Sequence, residues 1–248
     1  MDFKDYFSHN SANYLQYRPS YPSALFEFIT KHCENKDLAV DVGTGNGQAA
    51  KELGNRFKKV IGFDPSAAQL EVAFLHPNVE YKLGKAEHLD LQYNSVDLLT
   101  VAQAIHWFDF DLFFKEVSRV VKPNGVFAFW TYLKPVFEGE INHSITDFYA
   151  AIQSFWPEDR KFVDDGYATI SPPFQEIETP IFYIERSFSL DLLLNYFSTW
   201  SAVKNGEMKN GVDFIKTQFN LIETKWKDLG QEEYLAKSKV FLKLYRIC

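Results

Sequence analysis

The chain has little of what an oxidising compartment, a membrane or a nucleic acid would demand. Its 248 residues include two cysteines, Cys33 and Cys248, and neither stands at metal-ligand spacing. A disulfide framework and a bound metal are therefore not expected, and two free thiols in a reducing cytosol are. No apolar run approaches the roughly 20 residues of a membrane-spanning helix. The opening MDFKDYFSHN has no apolar h-region, so the expectation is a soluble, cytoplasmic chain with no membrane partner. Basic residues are outnumbered, with 26 Lys and Arg against 33 Asp and Glu and a net charge of −7. Phosphate backbones are gripped by clustered Lys and Arg, so no nucleic-acid partner is expected. Internal repeats and low-complexity tracts are absent too.

What the chain does have is aromatic carbon, 17% of residues with 24 Phe and 13 Tyr. That predicts an aromatic-rich core, an aromatic-lined pocket, or both. The length suits one domain rather than a tandem pair. The first 21 residues read as an irregular connector closed by Arg18-Pro19 and Tyr21-Pro22, since a residue before proline is driven out of the helical region. Ser23 then caps a helix to about Cys33. Strands are expected at 38–43, 60–64, 79–83, 96–104 and 126–133, with helices at 47–56, 66–74 and 111–122. That alternation predicts right-handed βαβ units in a parallel sheet, an α/β doubly wound fold of Rossmann-like type. The rhythm breaks after Leu133. One helix at 141–155 and a long loop suggest that 134–176 covers the sheet's carboxyl edge. A strand at 181–190, helices at 190–200 and 211–228, and an alternating segment at 240–247 complete the pattern, the last segments finishing the sheet as an antiparallel edge.

The first strand, Leu38 to Val42, runs through Asp41 into the turn Gly43-Thr44-Gly45-Asn46-Gly47. A buried strand delivering a glycine turn suits a nucleotide-type ligand, because bare backbone can approach it and adopt positive φ. A phosphate-cradling P-loop would need GxxxxGK followed by Ser or Thr, which is lacking. A dinucleotide fingerprint wants GxGxxG or GxGxxA; here the third glycine comes one residue early and Gln48 stands where Gly or Ala should be. The GxGxG spacing after an acidic strand residue suits S-adenosylmethionine, which has no pyrophosphate to hold. Asp64 ends the second strand about 20 residues further on, where a carboxylate can accept hydrogen bonds from both ribose hydroxyls. Its alternative role is to cap the helix that begins after Pro65. Asp41 either contacts the ligand or shapes the turn by bonding its backbone amides.

The pieces D-V-G-T-G-N-G, F-D-P-S, G-K-A-E-H-L and V-A-Q-A-I-H-W-F-D, followed by a helix and K-P-N-G, resemble a class I S-adenosylmethionine-dependent methyltransferase. The fuller likeness is to the trans-aconitate methyltransferases and related small-molecule enzymes, through the YxxYRPxYP opening at Tyr14 to Pro22 and the stretch ERSFSLD. It covers residues 1–133 well and thins beyond. The resemblance implies a seven-stranded sheet with its last strand antiparallel, S-adenosylmethionine as methyl donor and a small-molecule acceptor. It divides the chain into an N-terminal lid segment and helix (1–36), a cofactor-binding core (37–133) and substrate covers (134–176 and 190–230). By position, Gly43, Gly45 and Gly47 approach the donor's methionine end and Asp64 its ribose. Ala86 and Glu87 lie near adenine, Gln103 flanks the sulfonium, and Arg18 pairs with the methionine carboxylate, a bidentate match for a guanidinium. Tyr14, Asp41, Thr44 and Pro65 complete the expected cofactor shell.

On the acceptor side, His106-Trp107-Phe108 follows the fourth strand, at the edge where open α/β sheets bind ligands. Aromatic faces there can stabilise a sulfonium and exclude water; the other reading is that Trp107 and Phe108 anchor the next helix. His106 either orients the acceptor, takes its proton, or is a hydrogen-bonded structural residue. The leaving group is already activated, so positioning can supply most of the catalysis and no dedicated base is required. A carboxylate acceptor would attack ionised and need a cation from the cover, for which Arg186 and Arg160 are candidates. Trp130, Tyr132 and Trp200 fit either pocket or core. Two rival readings remain at this level, an NAD(P)-dependent oxidoreductase and a non-catalytic S-adenosylmethionine-binding subunit.

Overall fold

A computed structural model describes residues 17–248. Its centre is a sheet of β1 (Leu38–Val42), β2 (Lys59–Asp64), β3 (Val79–Leu83), β4 (Val96–Ala102), β5 (Val121–Tyr132) and β9 (Glu233–Arg246), in the order β3-β2-β1-β4-β5-β9. The first five run parallel, with Val40 opposite both Ile61 and Leu99. β9 closes antiparallel on β5, Phe127 opposite Tyr245. Helices cover both faces, so a strand such as β1 must be apolar on both sides. Successive side chains alternate between them. Val40, Leu99, Phe127 and Phe129 pack on one face with Phe113 and Val117 of α4 (Phe110–Val120). Ala39, Leu98, Ala128 and Trp130 pack on the other with Leu25, Phe26 and Ile29 of α1 (Ser23–Thr30) and Leu53 of α2 (Gln48–Gly54). Side-chain caps start three helices: Ser66 accepts from the Gln69 amide at α3 (Ala67–Glu71), Asp109 from the Leu112 amide at α4, and Ser189 from the Leu192 amide at the helix Leu190–Ser198, each satisfying an N–H with no partner inside its helix.

Over the carboxyl edge lie α5 (Ile141–Ile152), α6 (Arg160–Asp164), α7 (Leu190–Ser198), α8 (Ser201–Asn210) and α9 (Val212–Leu229). All but α6 share a core of their own, in which Phe197 stacks on Phe148 at 4.8 Å and meets Trp200 at 4.5 Å; α6 packs Phe162 and Val163 into the sheet-face core that holds Phe113. Most of the aromatic abundance is spent on these three cores, since each buried ring removes a large apolar area from water. Strand β8 (Phe182–Ser189) joins this layer to the sheet by pairing antiparallel with β9. Among the described residues no helix is long and apolar enough to cross a membrane.

The mostly parallel α/β sheet is as expected, with four differences in detail. Nine strands are described rather than seven, because β6 (Val136–Phe137) and β7 (Gln175–Ile177) extend the two edges of the long β9. β9 starts at Glu233, not 240: of its early inward positions Tyr234, Ala236 and Ser238 two are small or polar, while Leu235 faces out, so the hydrophobic alternation is masked. β5 starts at Val121, paired with Val96, and passes through a turn with Asn124 at φ +65° before regular pairing resumes at Val126. Finally, the stretch read as loop carries α6, and α8 follows a helix expected to end the segment; α8 buries only Ala202, Val203 and Gly206, too small a stripe to register as periodic.

Candidate functional site

The glycine turn leaves β1 at its carboxyl end. Gly43 and Gly47 sit at φ +67° and +81°, and both are crowded: a Cβ on Gly43 would come 2.6 Å from Cβ of Ala104, and one on Gly47 would overlap the Tyr81 hydroxyl. Their lack of side chain lets the turn pack on the chain itself. At Gly45, φ +54°, the nearest atom to such a Cβ is Gln69 Oε1 at 3.8 Å, so this is the turn glycine with room beside it.

Two carboxylates hold the turn. Asp41 is buried and accepts hydrogen bonds from the hydroxyls of Thr44 (2.6 Å) and Thr100 on β4 (2.7 Å). Its partners are thus hydroxyls rather than the backbone amides expected. Burial raises its pKa to about 6, the two hydroxyls oppose the rise, and the charge of Asp64 adds to it. Asp64 accepts from the Gly45 amide through Oδ2 (2.8 Å) and from the Ser66 amide through Oδ1 (2.9 Å). It therefore fixes the turn at Gly45 while shaping the approach to α3 through the half-buried Pro65. In the loop after β3, Ala86 is buried in the core, and Glu87 accepts from the Asp109 amide at 3.0 Å, tying that loop to the start of α4.

Gln103, just past β4, has φ +58°, a conformation that costs a non-glycine residue energy and is found where surrounding structure over-determines it. Three bonds to β5 do so: its amide donates to the Trp130 carbonyl (3.0 Å), Nε2 donates to the Tyr132 carbonyl (3.3 Å), and Oε1 accepts from Thr131 Oγ1 (2.7 Å). Next comes a short 3₁₀ turn, Ile105–Trp107. His106 Nδ1 lies 2.8 Å from the phenol oxygen of Tyr167, a fully buried residue at φ +63°. Burial, assisted by the charge of Arg160, pushes the His106 pKa down to about 3, so the ring is neutral at physiological pH.

A cleft partly open to solvent separates this edge from the cover. Gln103, His106, Trp107 and Tyr132 form its sheet side, and Trp156, Tyr196 and Trp200 its cover side. Arg18, Lys134 and Arg160 also line it, and among the described residues no Asp or Glu does. Arg18 donates to the Tyr132 hydroxyl (3.2 Å) and the Thr199 carbonyl (3.3 Å). Arg160 lies over the Trp156 ring at 4.2 Å and donates to Asp164 at 2.9 Å, and Lys134 Nζ lies over the Tyr149 ring at 4.0 Å. Desolvation lowers the Lys134 pKa from its ordinary value and the charge of Arg160 adds to the fall, while the charge of Asp164 opposes it. The glycine turn does not line the cleft; Ala104 and Phe108, which lie against Gly43, are chain neighbours of the lining residues Gln103 and Trp107.

The structure thus brings Arg18, Gln103, His106, Trp107, Tyr132, Arg160 and Trp200 to one cleft. It places others elsewhere. Trp130, expected in the pocket, is fully buried edge-on to Tyr21 (5.4 Å) and Phe26 (5.8 Å), one step too far down β5. Arg186, also expected there, is not among the lining residues: its guanidinium donates to the Tyr17 carbonyl at 2.6 Å and lies over Phe188. Phe108 packs on Phe113 at 4.9 Å. Tyr14 lies outside the described residues. Sequence reasoning missed Lys134, Trp156, Tyr167 and Tyr196. Lys134 had a signal, standing just past the carboxyl end of β5; the others had none, since two sit in the stretch read as loop and one in an amphipathic helix.

Comparison with known proteins adds relatives. The profile of a family described as a methyltransferase domain matches residues 40–129. A Dictyostelium discoideum protein provisionally named a methyltransferase is 39% identical over 205 residues, 81% of this chain and 78% of its own length. A Saccharomyces cerevisiae protein provisionally named an S-adenosylmethionine-dependent methyltransferase is 39% identical over 137 residues, 51% of this chain and 47% of its own length. A solved Anaeromyxobacter dehalogenans structure, provisionally described as a type II methyltransferase, aligns with a TM-score of 0.84 at 34% identity over 93% of this chain and 98% of that one.

Proposed function

The chain belongs to the class I S-adenosylmethionine-dependent methyltransferases, and from that premise we propose that it methylates an oxygen or nitrogen of a small anionic molecule seated in the aromatic cleft. The observation that carries the acceptor's charge is the cleft lining: besides Arg18, which the donor's carboxylate takes, it holds two cations, Lys134 and Arg160, and no acid among the described residues.

The carboxyl edge fits the methyl donor. Gly45 offers uncrowded backbone beside Asp64, whose carboxylate is already held toward the turn by the Gly45 amide. In this reading Gly43, Thr44, Gly45 and Gly47 flank the methionine and ribose, Asp64 and Pro65 the ribose, and Ala86 and Glu87 the adenine, with Asp41 bracing the turn beneath. Arg18 pairs with the methionine carboxylate, and Gln103 and Trp107 stand beside the sulfur. When bound, S-adenosylmethionine supplies a methyl group on a positively charged sulfur. What the chain's residues then do is position and dry the site. Arg160 and Lys134 hold the acceptor's anionic group, and Trp107, Trp156 and Trp200 wall off water, which strengthens those contacts and keeps the two reactants aligned. Residues 134–176 and 190–230 act as the substrate cover.

Calorimetry with S-adenosylhomocysteine and with NADH tests the cofactor: binding of the first alone is expected, and its absence would remove the proposal. Asp64→Ala should weaken that binding at least tenfold, the size of a lost charge-assisted hydrogen bond. Acceptors are sought with tritiated methyl donor and a panel of small acids beside their neutral amides, and labelling of the amides in preference to the acids would refute the assigned charge.

A further inference from the structure

Arg186 is a cation that the cleft does not use and the fold does not neutralise. It stands half-buried on β8, and no carboxylate pairs with it among the described residues. Its guanidinium donates to the Tyr17 carbonyl at 2.6 Å and lies over the Phe188 ring, 5.2 Å from the centroid. Packing alone would be better served by an apolar side chain, since a desolvated charge is costly unless an opposite charge stands beside it. What this charge holds is the start of a strap. Tyr17 packs against the core of the cover, whereas Tyr21 lies edge-on to Trp130 (5.4 Å) and Tyr132 (6.2 Å) in a core of the sheet. Residues 17–21 therefore cross from one layer to the other. Arg18 lies within the crossing, with Nη1 on the Tyr132 hydroxyl and Nη2 on the Thr199 carbonyl at the cleft wall. Pro19, buried, follows it with a fixed φ and bars Arg18 from the helical region. The backbone of Arg18 is thus set on both sides, by the ring of Pro19 after it and by Arg186 on the peptide before it.

We infer that Arg186 is a positioning residue for the methyl donor: by gripping the Tyr17–Arg18 peptide it holds the Arg18 guanidinium at the cleft, where that group meets the donor's carboxylate. The inference rests on the proposed pairing of Arg18 with the carboxylate and extends it to a residue outside the cleft lining. An arginine side chain has much rotamer freedom to lose before it can bind an anion. Fixing its backbone limits where the guanidinium can reach, so less is lost when the donor binds. The grip is strong for its size, because a hydrogen bond from an ionised donor is about twice as strong as a neutral one. It is also in register with the cleft wall. β8 runs directly into α7 at Leu190, and Thr199 follows the last turn of that helix. One continuous segment therefore carries both the group that holds the Arg18 backbone and the carbonyl that holds its guanidinium. Loss of Arg186 should accordingly be felt at the methionine end of the donor and not at its adenosine.

Calorimetry with S-adenosylhomocysteine on the wild type, Arg186→Met, Arg18→Met and the double variant tests this. Each single substitution should weaken binding about tenfold, the scale of a lost charged hydrogen bond. The second should add less than about twofold to the first, because residues that act through one another are not additive. Arg186→Lys, which keeps a charged donor, should bind within about threefold of the wild type. 5′-Methylthioadenosine keeps the adenosine and the thioether but has no carboxylate, and Arg186→Met should bind it as the wild type does. A merely structural role would instead lower thermal stability and weaken both ligands alike; Arg186→Gln gives the same comparison where methionine prevents folding. Wild-type S-adenosylhomocysteine affinity in Arg186→Met, additive losses in the double variant, or equal weakening of methylthioadenosine overturns the positioning role. Wild-type affinity in Arg18→Met rejects the carboxylate pairing beneath it, and no S-adenosylhomocysteine binding by the wild type rejects the methyl-donor site itself.

Discussion

Asp41→Asn, followed across pH, measures the strain of an ionised carboxylate beneath the glycine turn. Asp41 is 1% exposed, and burial outweighs its bonds from Thr44 and Thr100, raising its pKa from 3.8 to about 6. The folded chain therefore binds this proton more tightly than the unfolded chain. Between about pH 4 and pH 6 the native state holds more protons, so stability rises as pH falls and is lost as pH climbs through the folded value. A shift of about two units is worth about 3 kcal/mol in full. Roughly 1 to 2 kcal/mol of it should be recovered between about pH 7.5 and pH 5. Other carboxylates titrate nearby, so the informative quantity is the difference between wild type and Asp41→Asn, which is near-isosteric and does not titrate. Urea unfolding at each pH supplies it. The wild type should gain that 1 to 2 kcal/mol on the variant as pH drops. A difference that stays flat would mean that the two threonine hydroxyls, not burial, set the charge of Asp41.

Three further outcomes follow from the geometry. Gly47→Ala must displace the Tyr81 hydroxyl at φ +81° and should destabilise by at least about 2 kcal/mol, whereas uncrowded Gly45→Ala should lose only the left-handed backbone penalty of about 1 kcal/mol; equal losses in urea unfolding would refute the packing distinction. Arg160→Met and Lys134→Met should each raise the KM for an acidic acceptor about tenfold, the scale of a lost charged hydrogen bond, and an unchanged KM in both would take the anion site away from them. The His106 imidazole, depressed from 6.5 to about 3, should remain neutral in NMR titration down to about pH 4; because its folded value lies below the unfolded one, its contribution to stability falls as pH drops below about 6.5.

The part of the fold nearest the glycine turn was legible because its strands are buried on both faces, so each is a short apolar run bounded by turn residues. Legibility failed where small or polar residues stand at inward positions. Ala236 and Ser238 hide the first half of β9, and the Ala202, Val203, Gly206 stripe hides α8. At Gly206 the room is taken: the ring of Phe155 and the tip of Ile215 would meet a Cβ at 3.3 Å. A hydropathy pattern records what a residue is, not how much room its neighbours leave.

The site shows the same limit along a single strand. Trp130 and Tyr132 share one face of β5, and the alternation that puts them there does not say which reaches the carboxyl edge; Trp130 is wholly buried and Tyr132 meets Arg18 in the cleft. Thr131, between them, points to the opposite face by the strand's alternation and is fully buried. Gln103 bridges the two faces, its Nε2 on the Tyr132 carbonyl and its Oε1 on the Thr131 hydroxyl. A backbone at φ +58° would ordinarily call for glycine, and glutamine there costs on the order of 1 kcal/mol or more. Glycine would meet the backbone demand but supply no amide. Without that amide the Tyr132 carbonyl and the Thr131 hydroxyl each lose a partner at the cleft's edge. The strained residue at the end of β4 is therefore best understood as the clamp that ties the end of β5 to the cleft wall.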